Sequence, residues 1–304
     1  MPELPEVEAM RRGLAPLAGS VIRDVEVLDP RGISRHDRSD GDFRQLLLGR
    51  LIAGSARRGK FLWLPLADDE ARPEAAGATA LLAHMGMSGH VMVLPPGAGR
   101  ERALRVRILL DDRAGRAQAL HFVDQRTFGS LAVDRLIPTA DAHPAGAGAQ
   151  APLLPRQVAH IARDPLDPFF DERLFFARLT RRNSTIKRAL LDQGLVSGVG
   201  NIYADETLWA ARTHFNQPTL GMGLVRARRI LARLREILAA AREDSGTSFD
   251  TQYVDVNGRS GRYGQHLAVY GREGRPCRRC GTPIRRVPFM NRSSHFCPRC
   301  QRIR

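Results

Sequence analysis

The sequence predicts an α+β protein whose two domains are followed by a small metal-bound tail, and three patterns support this prediction. Apolar residues recur at helical spacing over residues 2–15. Short runs of strand-forming residues, separated by Gly, Pro and charged turns, then fill residues 20–134. Helical spacing returns after residue 155, and all four cysteines lie in the last 28 residues. We therefore expect an N-terminal helix on a β-sandwich, then a helical domain, then a cysteine-rich tail of short strands.

The predicted elements have bounds that a structure can test. The strands expected in the first half are Val21–Val27, Phe61–Leu66, Ala80–His84, Val91–Leu94, Leu104–Leu110, Ala119–Val123 and Gly129–Val133. A short helix is expected after the first of these strands, at Asp42–Leu48. The helices expected in the second half are Asp171–Arg178, Ile186–Gln193, Ala204–Arg212 and Val225–Ala241.

Composition suggests where the domains begin and end. The stretch 138–155 is rich in Ala, Gly and Pro, has little to bury and is predicted to link the two domains. The predicted ranges are therefore 1–137 for the β domain, 156–265 for the helical domain and 266–304 for the tail. Surface insertions without an assigned function are expected at 68–78, 95–102 and 138–149.

The charge of the chain indicates its kind of partner. The net charge is +15 and the sequence pI is near 11, which favours a polyanion, most simply nucleic acid. A membrane surface is a weaker alternative, because the charge does not lie on one basic amphipathic helix. No apolar run approaches the ~20 residues of a membrane span, and the first residues lack the charge and apolar run of a signal peptide. A soluble, cytoplasmic protein that does not enter membranes is expected.

The first eight residues, Met1-Pro-Glu-Leu-Pro-Glu-Val-Glu8, place a potential nucleophile beside carboxyl groups. Removal of Met1 would leave Pro2 as a secondary amine with an unperturbed pKa near ~8, below the ~10 of lysine. Such an amine can attack a sugar aldehyde carbon to give a permanently charged iminium, which suits elimination chemistry. Glu3 and Glu6 lie within one turn of it, where a carboxyl group can act as general acid or base. A plain helix start, with proline and acids in the first turn, is the alternative.

The cysteine spacing predicts a zinc site in the tail. The pattern Cys277-x2-Cys280-x16-Cys297-x2-Cys300 is typical of four thiolates around a tetrahedral zinc ion. Its confinement to the tail fits a metal site in a reducing cytoplasm better than a disulfide framework. Residues 271–304 carry ten Arg and one Glu, a net charge of +9, which favours contact with a phosphate backbone.

Several of these strings together resemble one protein family. The first eight residues resemble the start of the bacterial formamidopyrimidine-DNA glycosylases (Fpg/MutM), and similar strings recur at Arg57–Phe61, His84–Gly89, Asp124–Gly129 and Ile186–Glu206. The resemblance covers nearly all 304 residues. It implies a bifunctional DNA glycosylase and apurinic/apyrimidinic lyase of base excision repair, which excises oxidised purines such as 8-oxoguanine and formamidopyrimidines. It also implies that the helical domain is a helix–two-turns–helix domain and that the tail holds one structural zinc ion.

The resemblance further implies catalytic roles. Pro2 would attack the sugar C1′ and form a Schiff base that drives successive β- and δ-elimination, and Glu3 would protonate the sugar oxygen to assist ring opening. Glu6 would position the N-terminus, and Lys60 would contact the phosphate beside the lesion and support catalysis. Only Lys60 and Lys187 among the 47 basic residues are lysines, which suggests that both positions need a compact ammonium group. Codon bias is the alternative.

The resemblance implies a wedge as well. Two turns bounded by Gly would place Met87, Arg126 and Phe128 in the space that a flipped nucleotide leaves in the base stack. Turn tips that pack on each other are the alternative. The second turn departs from the family string Asp-Pro-Arg-Arg-Phe-Gly at Gln125 and Thr127, neither of which is a wedge residue.

Three further DNA contacts are implied in the second half. Lys187 would lie close to the lesion pocket, and Asn201 would contact the phosphate backbone and could cap the helix that follows it. Arg292, in Asn-Arg-Ser-Ser-His-Phe-Cys, would grip phosphate at the lesion from the tip of the zinc finger. The Gly-rich stretch Tyr253–Tyr263 matches the position of a loop that closes over the extruded base.

Two other functions stay open on the sequence alone. The related endonuclease VIII group shares the layout but prefers oxidised pyrimidines and usually begins Met-Pro-Glu-Gly, so Leu4 and the Met-Arg-Phe wedge argue against it. A non-catalytic, zinc-dependent DNA-binding protein would need a blocked or displaced Pro2. We expect a monomer that acts on double-stranded DNA with damaged bases and associates with the bacterial nucleoid during repair.

Overall fold

The computed structural model describes residues 1–68, 78–99, 101–247 and 261–303. The chain divides into two compact units, residues 1–160 with 245–261 and residues 161–244 with 262–304. Most of the predicted insertion at 68–78 and most of the predicted loop Tyr253–Tyr263 lie outside the described residues.

The first unit begins with helix α1, Leu4–Leu14. Pro5 suits its first turn, because the N–H that proline lacks would have no partner there. Val7, Met10 and Leu14 recur at helical spacing and are at most 1% exposed, so this apolar stripe faces the core. A short 3₁₀ segment, Ala15–Leu17, follows the helix.

Ten strands follow in the described residues of this unit and form an antiparallel sheet. They are β1 Val21–Val27, β2 Leu51–Ile52, β3 Ala56–Arg58, β4 Phe61–Ala67, β5 Thr79–His84, β6 His90–Leu94, β7 Leu104–Asp111, β8 Ala117–Val123, β9 Ser130–Pro138 and β10 Leu153–Pro155. Their order is β10-β9-β5-β4-β2-β1-β7-β8-β6, with β3 paired to β4.

One large apolar core lies against most strands of this sheet. A single cluster of buried apolar side chains includes residues of α1 and of strands from both halves of the sheet order. Two halves that share one core pack face to face, as in a sandwich. The predicted N-terminal helix and β-sandwich are therefore confirmed.

The predicted element bounds fail in two places. The strands β2, β3 and β10 were not predicted, because two or three residues are too few to show an alternating pattern. The helix predicted at Asp42–Leu48 is wrong, and consecutive turns replace it. Gly41 and Gly49, both at positive φ, interrupt helical backbone geometry on either side of the stretch. The predicted domain boundaries stay predictions. The end of the predicted linker 138–155 forms β10, which pairs with the last residues of β9.

The second unit contains the predicted helices. Its described helices are α2 Glu172–Arg181, α3 Ile186–Leu191, α4 Asn201–Ala210 and α5 Leu224–Glu243. The tail adds a hairpin of β11, Arg285–Phe289, and β12, Arg292–Phe296. Its two-residue turn, Met290-Asn291, has positive φ at both positions, the geometry that matches the twist of paired strands.

No helix in the described ranges is both long enough and apolar enough to cross a membrane.

Candidate active site and DNA contacts

The N-terminal residues are held in place by their own helix. Pro2 and Glu3 are both buried, and Glu3 is the N-cap of α1. The N–H of Glu3 donates to Oε2 of Glu6 at 2.9 Å, as part of a capping box over the first turn. The other oxygen of Glu6 accepts from the N–H and the hydroxyl of Thr247, at 2.6 and 3.1 Å. Both oxygens of Glu6 are thus engaged, and its carboxyl group anchors the backbone next to Pro2.

Lys60 lies in the turn of the hairpin that β3 and β4 form, and only 9% of it is exposed. Gly59 precedes it at φ 57°, a conformation that favours glycine. Arg57 and Arg58 are also buried, although a run of basic residues is usually a solvated face. Arg58 donates from Nε to the carbonyl of Ala145 at 2.7 Å. The basic run is therefore part of the folded interior of this unit.

Glu8 connects the helix that carries Pro2 to the hairpin that carries Lys60. Its carboxylate accepts from Nε of Arg57 at 3.0 Å and from Nε and Nη2 of Arg11 at 3.0 and 2.8 Å. Burial acts to raise the pKa of Glu8, but the hydrogen bonds and charges of Arg11 and Arg57 outweigh it and lower the pKa to about 2. At neutral pH an ionised, paired carboxylate therefore holds α1 against β3.

The two turns with the predicted wedge residues share one anchor, the buried carboxylate of Asp124. Its Oδ1 accepts from the hydroxyl of Ser88 at 2.5 Å, and its Oδ2 accepts from the N–H of Gly129 at 2.7 Å. The backbones of the turns also touch, because a Cβ on Gly86 would lie 2.3 Å from the carbonyl carbon of Phe128. The structure therefore brings the two turns together.

The wedge side chains themselves are exposed on the first unit. Phe128 is 59% exposed and Met87 is 40% exposed, and Arg126 is exposed between them in the chain. The two turns pack on each other through their backbones and through Asp124, while these side chains face outward. Exposed apolar side chains on adjoining turns suggest a surface that binds a partner.

His84 is a site residue that the sequence analysis did not single out. It pairs with Phe61 across β4 and β5, and the two rings lie 4.8 Å apart. Burial, with the charges of Arg35 and Lys60, lowers the pKa of His84 to about 4, so the ring is neutral at pH 7. Its Nδ1 accepts from the N–H of Gly86 at 3.3 Å, which leaves the proton on Nε2. A neutral N–H donor that acts together with the ammonium group of Lys60 suits an anion. In the sequence, the position of this histidine at the end of a predicted strand could have identified it as a site residue.

In the second unit the zinc-finger hairpin meets the helix pair at Ser293. Its carbonyl accepts from Nδ2 of Asn201 at 3.0 Å and from Nζ of Lys187 at 3.1 Å. The predicted cap role of Asn201 is wrong: Gly200 is the N-cap of α4 and Asn201 is its first residue. Arg292, the neighbour of Ser293, is exposed. Two predicted phosphate contacts, Asn201 and Arg292, are thus close together at the N-terminus of α4, which attracts anions.

Lys187 is enclosed within the second unit and is 0% exposed. Its Nζ lies 2.7 Å from Oδ1 of Asp205 and donates to the hydroxyl of Ser294 at 2.8 Å. Oδ2 of Asp205 accepts from the N–H of His295 at 2.8 Å. This ammonium group therefore joins α3, α4 and β12, and its predicted place close to the lesion pocket stays a prediction.

The four cysteines of the tail form the zinc site. Their sulfur atoms all lie within 4.8 Å of one another. Tetrahedral zinc, with Zn–S bonds near ~2.3 Å, places its sulfur ligands roughly 3.8 Å apart. The Sγ of Cys280 lies 3.5 Å from that of Cys297 and 3.4 Å from that of Cys300. The apolar residues of this cluster are Val269, Ile284 and Trp209, a small core that a bound metal ion would reinforce. The residues fit one structural zinc ion.

Three features of the described residues belong together. They are the buried Pro2 held at the start of α1, the two paired turns with exposed side chains, and the zinc-finger hairpin that contacts the helix pair. Together they indicate an enzyme that acts on nucleic acid. Residues 1–131 match the formamidopyrimidine-DNA glycosylase N-terminal domain, and residues 161–252 match the formamidopyrimidine-DNA glycosylase H2TH domain. Residues 274–303 match the zinc finger found in FPG and IleRS. The chain belongs to the formamidopyrimidine-DNA glycosylase family.

Relatives with that name match over their full length. The formamidopyrimidine-DNA glycosylase of Leifsonia xyli subsp. xyli is 54% identical over 304 residues, which is 100% of both chains. That of Streptomyces avermitilis is 51% identical over 303 residues, 99% of this chain and 98% of the relative. The family and enzyme class predicted from the sequence are therefore confirmed.

Solved structures of the family have the same fold. A mutant of Lactococcus lactis FPG in complex with a Fapy-dG containing DNA is 30% identical, with a TM-score of 0.80 over 99% of this chain and 100% of that chain. The MutM (FPG) protein from Thermus thermophilus is 35% identical, with a TM-score of 0.78 over 99% of this chain and 98% of that chain.

Proposed function

We propose that this protein removes oxidised purines, such as 8-oxoguanine and formamidopyrimidines, from duplex DNA and then cleaves the strand by β,δ-elimination. The observation that carries the proposal is the N-terminal arrangement, in which buried Pro2 and Glu3 are held at the start of α1 by Glu6. A structure of Lactococcus lactis FPG with Fapy-dG containing DNA supports the lesion class.

The first steps need Pro2 as a free secondary amine after removal of Met1. Its nitrogen forms a bond to C1′ of the damaged nucleotide while the glycosidic bond breaks, and the base leaves with the bonding electrons. The proton of the attacking amine is lost to the departing base. Glu3, the residue next to the amine, donates a proton to the ring oxygen of the sugar, so the C1′–O4′ bond breaks while the nitrogen lone pair forms the iminium. Glu6 contributes by position, since both its oxygens are engaged by N–H and hydroxyl groups.

The iminium then acts as an electron sink for strand cleavage. Loss of a proton from C2′ breaks the C3′–O bond and releases the 3′ phosphate, which is β-elimination. Loss of a proton from C4′ breaks the C5′–O bond and releases the 5′ phosphate, which is δ-elimination. Water finally hydrolyses the iminium and returns Pro2 to its amine form. Because this nitrogen carries no proton in the iminium, it cannot lose one to become a neutral imine. Each proton loss from carbon gives a neutral enamine, which becomes an iminium again as the phosphate leaves.

The DNA contacts divide between the two units. We assign the phosphate beside the lesion to Lys60 with His84, and other phosphates of the DNA to Asn201 and Arg292. In this proposal Lys187 is a positioning residue, because its buried ammonium group holds β12 and thereby Arg292.

The wedge is the part that makes excision from a duplex possible. In this proposal Met87, Arg126 and Phe128 enter the base stack and hold the damaged nucleotide outside it. Asp124 keeps the two turns in register, since it bonds both of them.

A second candidate is excision of oxidised pyrimidines, the preference of the endonuclease VIII group. Its support is a structure of Lactococcus lactis FPG, 30% identical with a TM-score of 0.79, in complex with an oxidised pyrimidine containing DNA. Duplexes that each carry one defined lesion separate the candidates. We expect faster cleavage at 8-oxoguanine than at an oxidised pyrimidine, and the reverse order would favour the second candidate.

We also propose that the protein acts as a monomer on double-stranded DNA in a bacterial cytoplasm, close to the nucleoid. A net charge of +15 supports attraction to a phosphate backbone. Four cysteine ligands for zinc support a reducing compartment.

Borohydride trapping tests the role of Pro2. Reduction during turnover should convert the iminium into a stable bond, and peptide mapping should find the DNA on Pro2. Pro2→Gly, which keeps a primary amine, should lower activity without abolishing it, whereas an N-terminal extension should abolish both activities and leave DNA binding intact. An adduct on Lys60 would transfer the role to that lysine, and the absence of any adduct would favour a non-catalytic DNA-binding protein.

A further inference from the structure

A basic pocket of about 600 Å³ lies in the second unit, at the end of α4 opposite to Asn201. It is formed by residues that follow α4, by the first half of α5 and by the two cysteine turns of the zinc site. The arginines that line it are Arg212, Arg226, Arg229, Arg279, Arg299 and Arg302.

The lining of this pocket is basic and polar. None of its lining residues in the described part of the chain is Asp or Glu. Elsewhere on α5, arginines lie beside carboxylates: Arg233 pairs with Glu236 at 2.6 Å, and Arg235 pairs with Glu172. The pocket side of α5 therefore faces a more basic surface than the rest of the helix does.

The negative charge of the zinc site balances only part of the positive charge of the pocket. Zinc with four thiolates is a net dianion, and Cys280 and Cys300 line the pocket. Arg279 has a structural role as well, since its guanidinium lies 4.2 Å from the Trp209 ring centroid and donates to the Trp209 carbonyl at 3.2 Å. A dianion balances two guanidinium groups, so an excess of positive charge remains in a concave site, where the field is strongest.

We propose that this pocket binds the phosphate groups of a second ligand, separate from the DNA held at Asn201 and Arg292. Guanidinium groups match phosphate oxygens in paired hydrogen bonds, which makes arginine the residue best suited to this chemistry. A helix of ten residues spans about 15 Å, so a phosphate in the pocket is not the phosphate at the start of α4. The volume suits a nucleotide or one terminus of a nucleic acid.

Matched variants test the proposal in the full-length, zinc-loaded protein. The pocket variant combines Arg229→Gln, Arg299→Gln and Arg302→Gln. The control variant combines three exposed arginines outside the pocket, Arg173→Gln, Arg178→Gln and Arg228→Gln, and so loses the same charge. Isothermal titration with inorganic pyrophosphate and with ADP is carried out at low salt, on protein already saturated with a short duplex that contains an abasic-site analogue. Zinc content and cleavage of a lesion duplex are measured for each variant.

We expect the unmodified protein to bind one pyrophosphate in the presence of the duplex, the pocket variant to bind it at least about tenfold more weakly, and the control variant to bind it normally. Lesion cleavage should be the same in the pocket and control variants, because both lose three positive charges. The proposed enzyme function is therefore tested separately from the pocket. A second, undamaged duplex that competes with pyrophosphate would identify nucleic acid as the source of the phosphate, and a preference for ADP without such competition would identify a free nucleotide. Equal affinity in both variants, displacement of pyrophosphate by the first duplex, or equally strong binding of poly-glutamate would overturn the proposal.

Discussion

At the scale of single residues, three glutamates of the first turns of α1 have different surroundings and therefore different roles. Glu3 is buried next to Pro2, Glu6 has both oxygens engaged, and Glu8 pairs with Arg11 and Arg57. All three have the same carboxyl side chain, so the sequence alone does not distinguish them. The partners that surround each one decide whether it can donate a proton or can only hold the backbone.

The pairing of Glu8 predicts acid sensitivity. Its pKa falls from 4.5 to about 2 on folding, so its contribution to stability is complete above pH 4.5 and is lost as the pH falls from 4.5 towards 2. Glu8→Gln should lower the free energy of unfolding at pH 7 by on the order of 3 kcal/mol and flatten its decline below pH 4.5. Urea unfolding from pH 2.5 to 7 measures this. Glu236→Gln, in an exposed pair, is the control and should change stability by less than about 1 kcal/mol.

The burial of Lys187 predicts that its removal acts through the zinc finger. Lys187→Met leaves the charge of Asp205 buried without its partner and should destabilise the second unit by about 3–5 kcal/mol. Affinity for undamaged duplex should fall with it, because Arg292 depends on β12. Thermal unfolding and DNA titration provide the measurements, and Lys187→Met with Asp205→Asn should recover part of the stability. A variant with normal stability and binding but no excision would instead place Lys187 at the lesion.

Lys187→Arg should also lower stability, since a larger guanidinium must enter a fully buried site.

At the scale of elements, the two Gly-bounded turns show how short loops become one surface. Taken separately, each turn exposes side chains whose exposure its own sequence does not explain. Asp124 bonds both turns, and Gly86 allows their backbones to approach closely. The two turns are therefore held together as one surface, which the proposed wedge requires.

This arrangement predicts a selective loss of excision. Replacement of Met87, Arg126 and Phe128 by Ala should lower base excision from duplex far more than cleavage at a pre-formed abasic site, by about tenfold or more. The reason is that extrusion of a paired base costs a few kcal/mol, and the cost is least where no pairing has to be broken. Single-turnover rates on the two substrates measure the difference, with Gln125→Ala as the control on the same turn. Equal losses on both substrates would exclude a flipping role.

At the scale of the whole molecule, the proposed function links metal ligation to DNA binding through the second unit. The zinc site holds the base of the hairpin whose other end carries Arg292, and Ser293 of that hairpin bonds Asn201 and Lys187. The first unit has its own apolar core. Loss of the metal should therefore affect one unit and spare the other.

Metal removal makes this testable. We expect one zinc ion per chain, and Cys297→Ser should abolish DNA binding while the first unit keeps its cooperative unfolding. Metal analysis, DNA titration and calorimetry check the three parts of this prediction. Affinity that persists after complete chelation would show that the finger does not position the phosphate contacts.

The sequence by itself determined the class of fold, the family, the zinc ligands and most long elements. These follow from local signals: spacing of apolar residues, cysteine spacing and long specific strings. The sequence did not predict the short strands or the turns at Asp42–Leu48, because these segments are too short to show a distinctive spacing of apolar residues. Only the tertiary structure decided that Arg57 and Lys187 are buried partners of Glu8 and Asp205, and that His84 lies against Phe61. These pairs join residues far apart in the chain, and a charged side chain looks the same in a sequence whether water or a buried carboxylate surrounds it.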